Sequence, residues 1–297
     1  MLIIFNPAAG RRGRAQARLR RVRRRLERLG CAVVVRSTSP AAGDAERLAR
    51  EAEPSVDLIV AAGGDGTVNE VATGLHGSER PLAILPTGTT NVVAREIGMP
   101  RAAAAIAAVI AAGEPRAVWP GRLPGRLFLA MAGSGFDAQI VAAVDSRLKR
   151  RIGKLAFIWA ILMRLARYRG CELTVSVDGV PHRAVSAIVA KSRYYAGNFV
   201  IAPEARLDAP VLHVVLFQHG RRLAALRYLL ALPLGRLPRL HGVRVLPARS
   251  VLLAAAQPVL LHTDGEIAGY LPVPIEIAEQ PLQLVWPTRR ARSDAEL

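Results

Sequence analysis

The residues best suited to chemistry lie in a short glycine-rich run, Gly63-Gly64-Asp65-Gly66-Thr67, which directly follows an apolar stretch. Glycines at such a turn let backbone N–H groups approach an anion, and a helix that begins there directs its positive end at the same point. Thr67 can add a hydroxyl donor. The carboxylate of Asp65 would repel phosphate unless it holds a Mg²⁺ ion, directly or through water. The run therefore predicts a phosphate site, with a plain strand-to-helix turn as the alternative.

Two further turns of small residues, Asn6-Pro7-Ala8-Ala9-Gly10 and Pro86-Thr87-Gly88-Thr89-Thr90-Asn91, also follow short apolar runs. In chain order, the turn at Asn6 is the first turn, the one at Gly63 the second and the one at Pro86 the third. Each one alone is an ordinary strand-to-helix turn. Three of them after successive strands would face one edge of a parallel sheet, where such sheets bind ligands. The Walker motif Gly-x-x-x-x-Gly-Lys-Ser/Thr does not occur in the sequence. A nucleotide would therefore be held by backbone amides, hydroxyls and arginine, without a P-loop lysine.

A pair of carboxylates stands late in the chain, in the run Asp264-Gly265-Glu266. A carboxylate held in a turn beside a substrate can accept the proton of a reacting hydroxyl and so act as a general base. The same run is also a common solvated hairpin turn, and the local sequence leaves both interpretations open.

Strands and helices alternate through the first third of the chain and position the three turns. Such alternation predicts a doubly wound parallel sheet, that is, a Rossmann-like α/β domain over residues 1–118. The predicted strands are residues 2–5, 31–36, 56–62 and 82–85, and the predicted helices are residues 15–29, 39–52, 68–75 and 102–112.

Residues 119–287 have a different pattern, in which short β runs are separated by turn signals such as Asp178-Gly179. They predict a mainly antiparallel β domain that is interrupted by helices at residues 154–168 and 223–232. Residues 288–297 form a polar tail.

The composition narrows the classes of protein. Hydrophobic residues make up 51% of the 297 residues, which excludes a disordered chain. The longest stretches without a charged residue, 81–94 and 250–263, have fourteen residues each, whereas a membrane-spanning helix needs about 20 apolar residues. The formal net charge is +18. We therefore expect a partner of negative charge, such as a nucleotide, a nucleic acid or an anionic membrane surface.

The start of the chain and its cysteines favour a cytoplasmic location. The opening apolar run Leu2–Phe5 is short and meets Asn6-Pro7 at once, without the basic start of a signal peptide. The two cysteines, Cys31 and Cys171, are too few and too distant in sequence for a disulfide framework or a zinc knuckle.

Six motifs occur in an order that carries a family resemblance. They are Asn6-Pro7-x-x-Gly10, Gly63-Gly64-Asp65-Gly66-Thr67-x-Asn69-Glu70-Val71, Pro86-x-Gly88-Thr89-x-Asn91-x-x-Ala94-Arg95, Gly135-Phe136-Asp137-Ala138, Tyr195-Ala196-Gly197-x-Phe199-x-Ile201-Ala202-Pro203-Glu204-Ala205 and Asp264-Gly265-Glu266. With these motifs the chain resembles, over nearly its whole length, the diacylglycerol kinase catalytic family, bacterial lipid kinases related to sphingosine kinases.

The resemblance implies an ATP-dependent kinase that phosphorylates a lipid hydroxyl, with a β-sandwich second domain and an active site between the two domains. It implies three catalytic residues: Glu266 as the proton acceptor, Asp264 beside it, and Asp65, which would also hold Mg²⁺. The nucleotide-binding residues that it implies are Asn6, Pro7, Ala8, Ala9, Gly10, Thr38, Gly63, Gly64, Asp65, Gly66, Thr67, Val68, Asn69, Glu70, Gly88, Thr89 and Asn91.

Three segments depart from the family pattern. Relatives often have Asn-Asp in the third turn, where this chain has Asn91-Val92, and Val-Asp-x-Gly at the domain junction, where it has Val118-Trp119-Pro120-Gly121. Only Asp65 is left of the acidic network that surrounds Mg²⁺ in those relatives. The usual Asp-Asp-Gly-x-Leu-Asp is replaced by residues 208–213, which leaves Asp208 as the one carboxylate for a second metal ion.

A lipid kinase without a spanning segment has to dock on a membrane. Three basic segments, 11–28, 149–168 and 221–239, are candidates for electrostatic docking on an anionic surface. The expected location is therefore cytoplasmic and peripheral at the inner membrane face, with a lipid substrate and with a homodimer as one option for the oligomeric state.

Other functions stay open as alternatives. The chain would phosphorylate a sphingoid base or a nucleotide, or it would be a regulatory protein that binds nucleotide and lipid but has lost catalysis, for which Val92, Trp119 and Ala209 are the reasons. Nucleic-acid binding is not expected, because no helix-turn-helix, RNA-recognition motif or zinc spacing accompanies the positive charge.

Overall fold

A computed structural model describes residues 1–10, 12–143 and 170–288 of the chain. Its contacts divide the protein into two compact units. The first comprises Met1–Trp119 together with residues 279–288, and the second is Pro120–Ala278. The predicted helix at 154–168 and most of the polar tail lie outside the described residues.

The first unit is a six-stranded sheet with its helices. Its elements are β1 (Leu2–Phe5), α1 (Arg12–Arg28), β2 (Val34–Ser37), α2 (Asp44–Arg50), β3 (Ile59–Gly63), α3 (Asp65–Gly74), β4 (Leu82–Pro86), α4 (Val92–Glu96), α5 (Ala103–Ala112), β5 (Glu114–Val118) and the last strand, Leu282–Trp286. The strand order is β2-β1-β3-β4, then the last strand, then β5. All neighbours are parallel except β5, which runs antiparallel to the last strand. The predicted doubly wound parallel sheet is confirmed.

Apolar periodicity explains how α1 packs. Ala15, Leu19, Val22 and Leu26 recur at helical spacing and are all buried in one core cluster with strand residues such as Ile3. Most of the arginines between them are exposed, whereas Arg18 is half-buried and donates to the carbonyl of Arg101 at 2.8 Å. These apolar residues of the first docking candidate, segment 11–28, are therefore buried in the core and do not face a membrane.

Helix α2 begins at Asp44, five residues later than predicted. Gly43 has a φ of +78°, a conformation that interrupts helical geometry, and the Asp44 carboxylate accepts a hydrogen bond from the Ser39 backbone N–H at 2.7 Å. This local turn replaces the first turn of the predicted helix.

The second unit contains two six-stranded antiparallel sheets. Its elements are β6 (Gly121–Leu123), β7 (Arg126–Phe128), β8 (Met131–Ser134), α6 (Phe136–Ala143), β9 (Leu173–Val177), β10 (Val180–Ala184), β11 (Ser186–Ala190), β12 (Tyr194–Tyr195), β13 (Phe199–Val200), β14 (Leu212–Phe217), α7 (Arg222–Ala231), β15 (Val243–Ala248), β16 (Ser250–Ala255), β17 (Leu260–Thr263), β18 (Glu266–Tyr270) and β19 (Val273–Ile277), and Leu282–Trp286 is then β20. The sheet orders are β10-β9-β16-β19-β6-β7 and β15-β14-β11-β8-β17-β18. The inward residues of both sheets share one core cluster, which includes Val175 and Leu253 from the first sheet and Val189 and Val214 from the second. This packing confirms the β-sandwich.

Strand β20 differs from its predicted place. The sequence pattern predicts that residues 279–287 belong to the second domain, but β20 pairs in parallel with β4 and antiparallel with β5 in the sheet of the first unit. The alternation Leu282, Leu284, Trp286 indicates a strand but carries no information about which sheet it joins. Long-range pairing decides that.

Candidate active site

The first and second small-residue turns are joined by a side-chain hydrogen bond. Asn6 follows β1, and its Nδ2 donates to the Oγ1 of Thr67 at 3.0 Å, while its Oδ1 accepts the backbone N–H of Ala8 at 2.9 Å. Thr38 follows β2 and donates its backbone N–H to the carbonyl of Phe5 at 2.8 Å. The ends of three neighbouring strands are thus fixed together at the carboxyl edge of the sheet, where the strand order reverses between β1 and β3.

The third turn lies directly against the second. Thr87 and Gly88 both donate their backbone N–H groups to the carbonyl of Gly63, at 2.9 and 3.2 Å. A Cβ on Gly88 would lie only 2.5 Å from the Cα of Gly64, and a Cβ on Gly10 only 2.2 Å from the carbonyl oxygen of Thr87. Only glycine permits these approaches. The predicted convergence of the three turns is confirmed.

Asn91 fixes the shape of the third turn. Its Oδ1 accepts the Gly88 N–H and its Nδ2 donates to the Gly88 carbonyl, both at 2.9 Å. The residue itself has a φ of +48°, a conformation that asparagine tolerates better than most side chains. The Asn91 side chain therefore holds the backbone of Gly88 in position.

Asp65 is buried at the start of α3, and its carboxylate joins the second turn to the third. It accepts the hydroxyl of Thr90 at 3.0 Å and the backbone N–H of Val93, in the first turn of α4, at 3.2 Å. Because both oxygens have protein donors, the structure assigns Asp65 a bracing role whether or not it also reaches a metal ion.

Glu70 serves a neighbouring helix. Its two carboxylate oxygens accept the backbone N–H groups of Gly43 and Ala45 at 3.2 and 3.0 Å, at the N-terminus of α2. A carboxylate in that position satisfies unpaired amides and interacts favourably with the helix dipole. This partner set explains the presence of Glu70 without a nucleotide.

The remaining predicted nucleotide residues fall into two groups by exposure. Gly63, Thr67, Val68 and Asn69 are buried. The side chain of Val68 is part of the packed interior, at 2% exposure. Wholly or partly exposed positions in and beside the turns are Asn6, Pro7, Ala8, Ala9, Gly10, Thr38, Gly64, Gly66, Glu70, Gly88, Thr89 and Asn91. The accessible surface of this edge is therefore made mostly of small side chains and backbone.

The Asp264-Gly265-Glu266 run forms the tight turn between β17 and β18 in the second unit. The Asp264 carboxylate accepts the backbone N–H groups of Leu129, Ala130 and Met131 at 2.6–3.2 Å, and Asp264 has a φ of +48°. Glu266 is exposed at the first residue of β18. Asp264 therefore anchors the turn, and Glu266 is the carboxylate that the turn presents at the surface.

A buried chain of polar side chains stands behind this turn, and sequence reasoning did not assign it. His262 Nε2 lies 2.6 Å from Asp137 Oδ2, and Asp137 Oδ1 accepts the hydroxyl of Tyr195. Because ionised Asp137 only accepts, Nε2 is the donor, which leaves His262 Nδ1 to accept the Gly265 N–H at 3.4 Å. Asp137 and Tyr195 belong to the motifs of the family resemblance, but His262 has no such signal beyond its place two residues before Asp264.

The protonation of this chain follows from its surroundings. Burial alone raises the pKa of Asp137, but the attraction of His262 and the hydrogen bonds from His262 and Tyr195 outweigh it, so the pKa is lowered overall. Burial and the nearby Asp137 carboxylate raise the pKa of the Tyr195 hydroxyl well above its usual value. Asp137 is therefore ionised and Tyr195 protonated at neutral pH.

The residues around Asp208 do not fit a metal ion. The Nζ of Lys191 donates to the backbone carbonyls of Arg206, Ala209 and Val211, so an amine is bound among the oxygens that a cation would use. Asp208 itself forms a two-pronged pair with Arg206 at 2.8 and 2.9 Å. Within the described part of the chain, no group of three or more His, Cys, Asp or Glu side chains is placed to hold a metal. The predicted metal role of Asp208 therefore finds no support in the geometry.

An apolar cavity lies inside the second unit. Its volume is about 70 Å³, and most of its lining is apolar. Asp137 and Tyr195 stand in its wall beside Phe136, Ile201 and Phe217. This lining suits a hydrocarbon chain whose polar end meets hydrogen-bonding groups.

The structure comprises an α/β unit with three converging turns and a β-sandwich unit, the architecture of a two-domain nucleotide-binding protein. Comparison with known proteins gives the family. The diacylglycerol kinase catalytic domain matches residues 1–123, and the YegS C-terminal NAD kinase beta sandwich-like domain matches residues 130–286. The diacylglycerol kinase of Bacillus subtilis is 30% identical over 295 residues, covering 97% of each chain. The chain belongs to the diacylglycerol kinase family and is a lipid kinase, that is, a phosphotransferase.

A further relative and two solved structures are also lipid kinases or candidate lipid kinases by name. A probable lipid kinase YegS-like from Pseudomonas putida is 32% identical over 180 residues, covering 59% of this chain and 61% of its own. A crystal structure of a diacylglycerol kinase from Bacillus anthracis has a TM-score of 0.72 at 22% identity, covering 98% of this chain and 97% of its own. A second structure from that organism, of a candidate diacylglycerol kinase, has a TM-score of 0.82 at 24% identity, covering 98% and 95%. At these identities the structures establish the fold, and the kinase family implies ATP as the co-substrate.

Proposed function

We propose that this enzyme transfers the γ-phosphoryl group of ATP to the hydroxyl of diacylglycerol or a closely related lipid. The proposal that the first unit binds ATP rests on the contact of the three turns at the carboxyl edge of the parallel sheet. The backbones of the turns approach each other there so closely that neither a side chain on Gly88 nor one on Gly10 would fit. The substrate part rests on the names of the relatives and on the apolar cavity.

The nucleotide would be held mainly by backbone amides of the turns and by the exposed hydroxyl of Thr89. Mg²⁺ in phosphoryl-transfer sites is bound by one or two carboxylates and otherwise by phosphate oxygens and water. One carboxylate at the second turn, Asp65, fits that requirement by its chemistry. Such an ion would neutralise charge that develops on the phosphate oxygens.

For the acceptor half of the reaction we assign Glu266 as the general base. The lipid hydroxyl would pass its proton to the Glu266 carboxylate, its oxygen would bond to the γ-phosphorus, and the bond to ADP would break. Asp264 would act by holding the turn through its three backbone partners. The cavity beside Asp137 and Tyr195 would take an acyl chain.

We further propose that the enzyme meets its substrate at an anionic membrane surface. The chain carries a net charge of +18. Within residues 1–10, 12–143 and 170–288, no helix is both long and apolar enough to cross a bilayer. Electrostatic attachment, at roughly 1 kcal/mol for each basic residue near the surface, is sufficient for reversible binding by a few side chains.

Phosphoryl transfer from labelled ATP with Mg²⁺ to lipids in mixed micelles tests the assignment. The panel contains diacylglycerol, monoacylglycerol, ceramide and a sphingoid base. We expect labelled diacylglycerol from the wild type and a loss of about 10²–10⁴-fold in kcat for Glu266→Gln, with ATP affinity unchanged. The matched control is Glu172→Gln, an exposed glutamate of the same unit whose side chain is 71% accessible and which should behave as the wild type.

The outcomes separate the competing functions. A sphingoid base labelled in preference to diacylglycerol would replace the proposed substrate. Bound ATP without label on any lipid would indicate a binding protein, in line with the missing acids at Val92 and Trp119. Full activity in Glu266→Gln would remove the base assignment alone.

A further inference from the structure

Helix α7 and the turn after it expose four leucines, Leu223, Leu226, Leu230 and Leu234, which we call the leucine surface. Their exposed fractions are 76%, 39%, 60% and 67%. Leu223, Leu226 and Leu230 are spaced i, i+3, i+7, which places them on one face of α7. Several exposed leucines on one face of a helix are unusual on a protein surface and indicate an interaction site.

The opposite face of α7 lines the apolar cavity. Ala225, Tyr228, Leu229 and Leu232 all contribute to the cavity wall, and Leu237 joins them after the helix. The helix therefore has the cavity on one side and the leucine surface on the other. A hydrocarbon chain in the cavity would lie one helix thickness from whatever contacts the leucines, about 10 Å.

The charges around the leucine surface have one sign. Arg221, Arg222 and Arg227 are exposed on α7, and Arg236 and Arg239 follow in the next turn. The sequence has no Asp or Glu between residues 209 and 263. Both faces of α7 are apolar, so the helix as a whole is not amphipathic, but its outward face combines exposed leucines with neighbouring arginines. Apolar side chains that can enter the headgroup region and basic side chains that are attracted to anionic lipids both favour contact with an anionic bilayer.

We infer that the leucine surface of α7 inserts into the headgroup region of an anionic membrane, so that the cavity behind it receives the lipid substrate from the bilayer. The inference rests on the proposed function and names the docking element. Among the three basic segments, α1 has its apolar residues in the core and residues 149–168 lie outside the described part of the chain. Of the three segments, within the part of the chain that the structure describes, only segment 221–239 has exposed leucines beside its arginines.

The test is flotation with phosphatidylglycerol vesicles and with neutral phosphatidylcholine vesicles, for the wild type and the double variant Leu223→Gln/Leu230→Gln. Glutamine keeps the helix propensity and removes the apolar side chains. We expect the wild type to bind the anionic vesicles, and the variant to lose at least about tenfold in vesicle affinity. Leu252→Gln, at a leucine that is 44% exposed on β16, is the matched control and should bind as the wild type.

Kinase activity on two forms of substrate distinguishes a failure of this inference from a failure of the proposed function. On dihexanoylglycerol dissolved as monomers, the double variant should match the wild type, whereas on long-chain diacylglycerol in vesicles its rate should fall about tenfold or more. Equal rates on vesicles would overturn the docking surface and leave the kinase intact. A dimer that becomes a monomer in the double variant, with vesicle binding unchanged, would make the leucine surface a self-association site and would also overturn the inference. No turnover of either lipid by the wild type would instead count against the proposed substrate.

Discussion

Lys191 is fully buried, and its replacement by methionine offers a sharp test of how the second unit is held together. The Nζ donates to the carbonyls of Arg206, Ala209 and Val211, which matches the three N–H donors of an ammonium group. Methionine has a similar length and fills the space but donates no hydrogen bond. Lys191→Met therefore removes one hydrogen bond from each of the three carbonyls, although the Arg206 and Ala209 carbonyls keep a backbone N–H donor.

The magnitude follows from those three contacts. A hydrogen bond from a charged donor contributes about 1.5–3 kcal/mol, and removal of a buried charge returns part of its desolvation free energy. We therefore expect Lys191→Met to lower the free energy of unfolding by about 3 kcal/mol. At about 2–4 °C for each kcal/mol, the loss in Tm is roughly 6–12 °C.

Urea unfolding and thermal scans with and without EDTA measure this. The control is Asp208→Asn, which breaks a surface pair with Arg206 and should cost about 1 kcal/mol or less. EDTA should leave the Tm of the wild type unchanged, because the amine takes the position of a cation. A Lys191→Met protein as stable as the wild type would refute this reasoning.

Three further predictions concern the turns and the buried polar chain. Gly88→Ala should weaken ATP binding at least about tenfold in calorimetry, because its Cβ would lie 2.5 Å from a backbone Cα of the second turn; Gly13→Ala, with open space around it, is the neutral control. Glu70→Ala should cost about 1–2 kcal/mol of stability by urea unfolding with ATP affinity unchanged, and a tenfold loss of affinity would instead make it a nucleotide ligand. Asp137→Asn should destabilise the protein at pH 7; because the pKa of Asp137 is lower in the folded state, this deficit should shrink as the pH falls below about 4. A deficit that is constant with pH in unfolding experiments would contradict an ionised Asp137 in the folded state.

Much of the site was readable from the sequence because its signals are local. Glycines after buried strands predicted the three turns, and the parallel topology predicted that they meet. The sequence could not show that Asp65 and Glu70 already have backbone partners, because those amides lie 25–28 residues away in the chain.

The features that were missed depend on long-range packing. His262 and Asp137 are 125 residues apart, and Lys191 reaches carbonyls in a loop that offers no side-chain signal. A lysine next to a β run is predicted to be exposed, so the sequence pattern does not indicate that Lys191 is buried among carbonyls. The place of β20 was missed for the same reason, since a strand pattern does not name its partners.

The pairing of β20 makes the second unit an insertion within the first. Ala278 donates its N–H to the carbonyl of Pro120 at 2.9 Å, so the inserted segment starts and ends side by side, and β20 then fills the gap between β4 and β5. During synthesis on the ribosome, the edge of strand β4 in the sheet that carries the three turns therefore stays unpaired while some 160 residues are added. Any product that stops before residue 282 keeps that edge exposed. We therefore expect chains that end before β20 to be more prone to aggregation and proteolysis than the full chain.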